Sequence, residues 1–413
     1  MTDLLDKLAI LGSEINKDEF DRLEAVLEQS KTTDEIDQLI LNHSIPQSEA
    51  AKICGVSLNT FKDKVKEALA EGVIPEVVYT SGRYLYTLKH MHALMDWMKI
   101  PKWSDSHTGC PVADVQNQKG GTGKSTTLFS VATSIALDLK QRKRVLVVDL
   151  DPQGSLRNFA AADHGNTAQM LTSVDLMLGE LEPESYYASL ADLGYEHSDL
   201  VQSSVIGTHI PNLDIIPSFP SDERFSAAAW EEYAKTGDMN DFLKLLDTKV
   251  LSLLKPHYDL IFVVTGPHTN PLVWNAMEAS DAVIVPVSPR KLDWKSTCQF
   301  IEELPNHFYR LPSQGKNIQM LKIMVVNYDD EQSRDLDMLN QIKEKSGKWL
   351  LNCVIKRSSA FEIASRNYRT VFDLKKSDSA NLHCPPRQLS KAVDSLRDAT
   401  RELQLNLAEV EGR

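Results

Sequence analysis

"QNQKGGTGKSTT", residues 116–127, is the stretch on which the fold turns. The apolar "PVADV" leads into it and the helix-like "LFSVATSIALDL" follows. Strand, glycine loop and helix in that order are what a phosphate-binding loop requires. Gly120, Gly121 and Gly123 let backbone amides converge on phosphate oxygens, and the following helix adds the positive end of its dipole. Lys124 is placed to neutralise the outer phosphates, Ser125 offers a hydroxyl to Mg²⁺, and Thr122 and Thr126 complete the cradle. One lysine suffices for such a loop, yet Lys119 stands five residues before Lys124.

Working outward, "RVLVVDLDPQGS", residues 144–155, is a buried strand that delivers Asp149 and Asp151 beside the phosphates. Two carboxylates at i and i+2 on an extended loop can divide the work, one near the metal and the lysines, the other positioning an attacking water. The plainer reading is that both acids begin the turn at Pro152 and Gly154. Further apolar runs stand at 213–216, 260–264, 282–287, 323–326 and 350–355, separated by helix-like segments. Near-continuous apolar strands are buried on both faces, as in a parallel sheet wound with helices. The predicted fold is therefore α/β, a doubly wound, mainly parallel sheet, with ligands beyond the C-terminal strand ends.

The chain of 413 residues, 42% hydrophobic and 25% charged, has room for two or three globular domains. Its apolar runs are too short to span a bilayer, and "MTDLLDKL" lacks the basic-then-apolar order of a secretory signal, so a cytoplasmic protein without a membrane partner is expected. Cys54, Cys110, Cys298, Cys353 and Cys384 form no C-x-x-C pair, which suggests neither a disulfide framework nor a cysteine zinc site. A net charge of -13 argues against wholesale coating of nucleic acid but leaves room for a local basic patch.

Residues 1–43 read as an amphipathic helical region with eleven acids against four bases. Its apolar stripe needs burial, against a second copy or against the neighbouring domain. Residues 44–105 form the next unit. "SIPQSEAAKICGVSLNTFKDKVKEALAEG", residues 44–72, has helix–turn–helix spacing, with the turn at Gly55 and a cap at Ser57. Ser57, Asn59, Thr60, Lys62 and Lys64 then face DNA, and "IPEVVYTSGRYLYTL" supplies a hairpin wing with Arg83 at its tip. A three-helix module without DNA contact is the alternative. "KIPKWSDSHTGCP", residues 99–111, reads as a linker, and residues 106–413 hold the nucleotide domain.

"KGGTGKS" with its early lysine, "DLDPQGS" and "YDLIFVVTGPHTNPLVWNAMEASDAVIVP" together resemble the ParA-type partition ATPases with a deviant Walker loop. The long form, with an N-terminal helix and winged helix-turn-helix, is the closer match, and the resemblance covers nearly the whole chain. It implies an ATPase that converts ATP to ADP and phosphate with Mg²⁺ to segregate a plasmid or chromosome. In that family the early lysine, here Lys119, crosses to the nucleotide of the opposing subunit in an ATP sandwich homodimer. Asp149 would organise Mg²⁺ and the lysines, and Asp151 would orient the hydrolytic water. The resemblance further implies nonspecific DNA binding on the nucleoid, filaments on DNA, stimulation by a ParB-type centromere-binding partner, and operator binding through the winged module.

A basic stretch at Lys356, Arg357, Arg366 and Arg369 is the expected nonspecific DNA surface; pairing with surface acids is the alternative. Arg290, Lys291 and Lys295 extend that patch or line the nucleotide pocket, and Asn327 is a candidate contact for the base. One departure from the family stands out: the strand "YDLIFVV", residues 258–264, ends on Val264 where the family has an aspartate. Either Thr265 and Asp149 suffice for Mg²⁺, or metal binding and turnover are weakened, or the chain is an altered variant. Two other readings compete: a nucleotide-sensing transcription repressor with little turnover, and a membrane-site selector of the MinD type. The C-terminal "LSKAVDSLRDATRELQLNLAEVEGR" is not basic overall, which speaks against the latter.

Overall fold

The computed structural model describes residues 38–80, 82–120, 123–159, 170–375 and 383–412. The amphipathic helix expected before residue 38 lies outside them. The described chain opens with α1 (Gln38–Asn42), β1 (Ile45–Pro46), α2 (Gln47–Ile53) and α3 (Leu58–Ala70), then a hairpin of β2 (Val78–Thr80) and β3 (Arg83–Tyr86), and α4 (Leu88–Trp97). The turn between α2 and α3 needs Gly55, whose φ is +70°. The Val56 amide bonds back to the Ala51 carbonyl to close the end of α2. Ser57 then caps α3 by accepting a hydrogen bond from the Thr60 amide at 3.1 Å. In the hairpin Thr80 pairs with Arg83, and β1 adds a third strand along β3.

Beyond the linker, the apolar runs fold into a seven-stranded sheet ordered β10-β9-β4-β8-β5-β7-β6. The strands are β4 (Val112–Val115), β5 (Val145–Leu150), β6 (Ile206–Gly207), β7 (Leu213–Ile216), β8 (Leu260–Thr265), β9 (Ala282–Val287) and β10 (Met320–Val325). All pairs are parallel except the β6–β7 edge. Every residue of β4, β5, β8 and β9 is buried, as a sheet covered on both faces demands.

The helices that frame the site are α5 (Lys124–Ala136), α6 (Pro271–Ala279), α7 (Lys291–Arg310), α8 (Ser359–Arg366) and α9 (Pro386–Leu407). Strand alternation sends Val115, Val147, Phe262 and Val264 into one cluster with Leu128, Val131 and Ile135 of α5 and Leu396 and Leu403 of α9. Leu146, Val148, Ile261 and Val263 point the other way, against Leu272 and Ala276 of α6. The first cluster continues without a break into Phe61, Val65, Met91 and Leu94, so the N-terminal elements share a core with the nucleotide domain.

One expected strand is absent. Residues 350–355 form no named strand: Leu350 makes an isolated bridge to Ile323, and Lys356, just beyond the segment, makes one to Tyr328. The amides of Asn352 and Cys353 turn instead to the Glu402 carboxylate of α9, at 2.8 and 2.7 Å, which interrupts the ladder. The sheet order also fixes where a ligand sits. From β4 the chain crosses to β5 on one side, and β9 and β10 later add to the other, so strand order reverses at the C-terminal end of β4. That reversal opens a crevice, and residues 116–120 and Gly123 lie at it.

Candidate functional site

The loop is anchored from below. Asn117 is fully buried and its side-chain amide donates to the Pro286 carbonyl at 2.8 Å and to the Thr297 hydroxyl of α7 at 2.9 Å, while its side-chain Oδ1 accepts from the Lys119 amide at 3.1 Å. At the far end Gly123 holds φ +77°, a left-handed turn that starts α5. Gly121 and Thr122 lie outside the described residues; Gly120 is exposed in the loop, and Ser125 and Thr126 stand half-buried in the first turn of α5.

The two lysines occupy different environments. Lys124 is buried, its ammonium donating to the Asn117 carbonyl at 2.9 Å and reaching the Lys119 carbonyl at 3.5 Å, so it folds back over its own loop. Burial lowers its pKa, opposed by Asp151 and Asp114. Lys119 instead points to the rim, 43% exposed, with its ammonium 4.0 Å from Asp293 in the first turn of α7.

Asp149, next to last in β5, is fully buried and accepts from the amides of Asp151 at 3.0 Å and Leu156 at 3.3 Å. Burial pushes its carboxyl up to about 7 against those hydrogen bonds. Asp151 sits half-buried above it, accepting the Gln153 amide at 3.1 Å. Gly154 secures this loop: its φ is +58°, and a Cβ there would meet the Ser218 carbonyl oxygen at 2.4 Å. Lys124, Asp149 and Asp151 are thus gathered at one strand end.

Val264 is fully buried, paired in register with both Val115 and Asp149. The strand's alternation turns Thr265 to the opposite face, beside Leu150, so the Thr265 hydroxyl does not take the place of the family's aspartate next to Asp149. That hydroxyl is itself buried without a hydrogen-bond partner among the described residues, as are both oxygens of Asp114 and the side-chain oxygen of Gln116. All three residues fall on the sheet face turned toward α6. Asp114 is legible in the sequence as a charge inside an apolar strand. Burial raises its carboxyl to about 8, partly offset by Lys124.

Beside α5 a cavity of about 390 Å³ is lined by Gly123, Thr126, Asn327, Phe361, Ser365 and Arg366, among others. Its size suits a small-molecule ligand. Asn327 adopts φ +56°, tolerable for asparagine, and its amide nitrogen lies where a Cβ on Gly123 would approach to 3.7 Å. The expected base contact therefore does adjoin the loop. Phe361 and Ser365 were not anticipated, because α8 reaches the loop only through tertiary packing.

The basic residues are dispersed. Lys356 pairs with Asp330 at 3.0 Å and Arg357 with Asp329 at 3.8 Å, so acids offset both. Arg366 is exposed at the mouth of the cavity. Arg369 is a correction: it is only 5% exposed, because Tyr368 turns left-handed at φ +51° and the Arg369 amide closes α8 onto the Ala364 carbonyl, drawing the side chain inward. The start of α7 is docked on the loop through Asp293 and Thr297, with Arg290, Lys291 and Lys295 exposed. In the N-terminal elements Ser57, Asn59, Thr60, Lys62 and Arg83 are exposed, whereas Lys64 pairs with Glu67 at 2.8 Å and lies over Trp97.

Residues 111–313 match the family model of an AAA domain. The chain is 24% identical to plasmid partition protein A of Escherichia coli over 325 residues, 78% of this chain and 75% of that one. Among solved structures it superposes on one described as a partition protein with a TM-score of 0.66 at 18% identity, covering 96% of this chain and 97% of the other. It also matches cobyrinic acid a,c-diamide synthase from Mycobacterium smegmatis, solved with an ATP analog and magnesium, with a TM-score of 0.52 at 20% identity over 73% and 96% of the two chains. The resemblance to ParA-type ATPases read from the three sequence motifs stands, and the sheet with its flanking helices is a phosphate-loop NTPase fold. Among the described residues no helix is long and apolar enough to cross a membrane.

Proposed function

We propose that the chain is an ATP-dependent DNA partition ATPase for a plasmid or chromosome, in which ATP binding joins two subunits and the joined pair grips DNA. The observation that carries this reading is the division of labour between the two lysines. Lys124 is committed to its own loop, and Lys119 stands at the rim where a second subunit would meet it. ATP would place its phosphates on residues 119–126 and its adenosine in the cavity at Asn327 and Phe361. Asp151 would hold the attacking water in line with the outermost phosphorus; the water oxygen bonds to that phosphorus and gives up a proton to the released phosphate or to solvent, the bond from phosphorus to the bridging oxygen breaks, and ADP and phosphate result. Similarity to plasmid partition protein A supports this assignment.

The Ser125 hydroxyl and the Asp149 carboxylate are hard oxygen donors that fit Mg²⁺, which when bound neutralises charge between the outer phosphates. Nonspecific DNA would meet Arg366 and the exposed bases at 290–295, and operator DNA would meet Asn59, Lys62 and Arg83 in an autorepressor role. A ParB-type partner would stimulate hydrolysis and release the ATPase from DNA. Fluorescence anisotropy with ATP, ADP and no nucleotide tests the reading. ATP alone is expected to support sequence-independent binding that weakens steeply with salt, and DNA with the partner is expected to raise turnover. DNA binding that ignores the nucleotide would overturn the proposal.

Val264 favours a second reading, a repressor that senses ATP and ADP with little turnover. Val264→Asp discriminates. It places a carboxylate beside Asp149, so in metal-free buffer it is expected to destabilise the fold by about 2–4 kcal/mol, the range for an uncompensated buried polar or charged group. Mg²⁺-ATP should recover that loss and half-saturate hydrolysis at a several-fold lower Mg²⁺ concentration. Identical melting curves and Mg²⁺ titrations for the two proteins would show that position 264 does not govern the metal.

A further inference from the structure

Three residues far apart in sequence converge where the N-terminal elements meet the nucleotide domain. His43 follows α1, His209 lies in the turn between β6 and β7, and Asp373 comes after α8. The Nε2 atoms of both histidines lie 2.7 Å from the same oxygen, Oδ1 of Asp373. That carboxylate is fully buried, and its other oxygen accepts from the Thr370 amide at 2.6 Å and hydroxyl at 2.9 Å, which fixes its orientation. All candidate donor atoms lie within 4.8 Å of one another. A cavity of about 20 Å³, lined by Ile40, His43, Leu88, Lys89, His209 and Pro211, adjoins the two imidazoles. It has room for about one water molecule.

We propose that His43, His209 and Asp373 form a site for a divalent ion of the Zn²⁺ class, which clamps the N-terminal elements to the nucleotide domain. Two imidazoles and one carboxylate suit Zn²⁺ and exclude Mg²⁺ and Ca²⁺, which require oxygen donors. Three protein ligands leave a fourth tetrahedral position, and the adjoining cavity supplies space for its water. Around Zn²⁺ such donors stand roughly 3.3 Å apart, so each imidazole must retreat from Oδ1 by only about 0.6 Å. The ion replaces the Nε2 protons: a charged imidazole releases its proton to solvent, and a neutral one carries it on Nδ1. The exposed Lys89 ammonium is the opposing charge at the cavity mouth and stands in solvent, where it is screened. Thr370 orients the carboxylate from behind, as second partners of metal ligands do. The proposal is independent of the partition reading, since the joint exists whatever the nucleotide drives.

The test is calorimetric titration of the chelator-stripped full chain with Zn²⁺, in wild type, His43→Ala, His209→Ala and, as a control for surface binding, His257→Ala. Wild type and His257→Ala are expected to take up one equivalent that His43→Ala and His209→Ala lose, and Zn²⁺ should raise the Tm of the first pair only. Equal uptake by all four proteins, or none by wild type, would overturn the site. If either joint variant fails to fold, Co²⁺ added to wild type decides: an intense visible band of four-coordinate Co²⁺ supports the site, and the weak spectrum of the hydrated ion refutes it.

Discussion

Lys119→Ala is expected to abolish ATP-dependent pairing of subunits, and with it nonspecific DNA binding, while the chain stays folded and still takes up ATP. The fold is insensitive because Lys119 is half-exposed and its contact with Asp293 is a long one of 4.0 Å, the kind of rim ion pair that contributes little. ATP uptake persists because Lys124, buried over its own loop, is untouched. In a symmetric dimer each subunit lends one Lys119 to the other's phosphates, so the substitution removes two charge-assisted contacts at once. At about 1.5–3 kcal/mol each, that is roughly 3–6 kcal/mol, or about a hundredfold to ten-thousandfold in the dimer constant. Because DNA affinity builds on two joined patches, it should fall with the dimer. Analytical ultracentrifugation with ATP and anisotropy on random-sequence DNA report the two effects separately. A variant that still pairs with ATP would show that Lys119 serves its own subunit, and the sandwich reading would go with it.

Local chemistry decided what could be read from the chain. Gly120, Gly123 and Lys124 announced the loop because phosphate binding imposes residue types at fixed spacing, and β4, β5, β8 and β9 announced the sheet because double-sided burial imposes apolar runs. Residues 350–355 carried the same apolar signal, but the Glu402 carboxylate from α9 captured two of their amides, a competitor invisible at that distance in sequence. Arg369 looked like part of a basic patch until the left-handed turn at Tyr368 buried it. Phe361 at the cavity beside α5 and the His43, His209 and Asp373 cluster were beyond reach for the same reason: each is assembled from segments that only the folded sheet brings together. Val264 was legible from the resemblance, but only the strand's register shows that Thr265 faces away from Asp149.

Asp114→Asn is expected to stabilise the protein in alkaline solution and to flatten its dependence on pH. Asp114 sits on the central strand, its two oxygens buried without a hydrogen-bond partner among the described residues, and burial holds its carboxyl near pH 8 against 3.8 for the ordinary group. Between those values the folded protein keeps a proton that the unfolded chain has released, so folding takes up a proton and stability falls as pH rises through that window. Below about pH 4 both states are protonated and the penalty vanishes. Above pH 8 the carboxylate is charged in the core, and the accumulated loss is roughly 6 kcal/mol at 1.36 kcal/mol per tenfold change in proton activity. Asparagine keeps the shape and never ionises, so urea unfolding of the variant at pH 5, 7 and 8.5 should lose this part of the slope. A smaller slope of the same sign should persist, because Asp149 is raised to about 7 by burial as well. Nucleotide affinity supplies the second readout. At pH 6.5 the native Asp114 is already neutral, so the substitution should leave ATP binding unchanged there. At pH 8.5 the wild-type carboxylate competes with the phosphates for the field of Lys124, and the variant should bind more tightly. Parallel stability curves for the two proteins would mean that Asp114 is solvated or paired in solution.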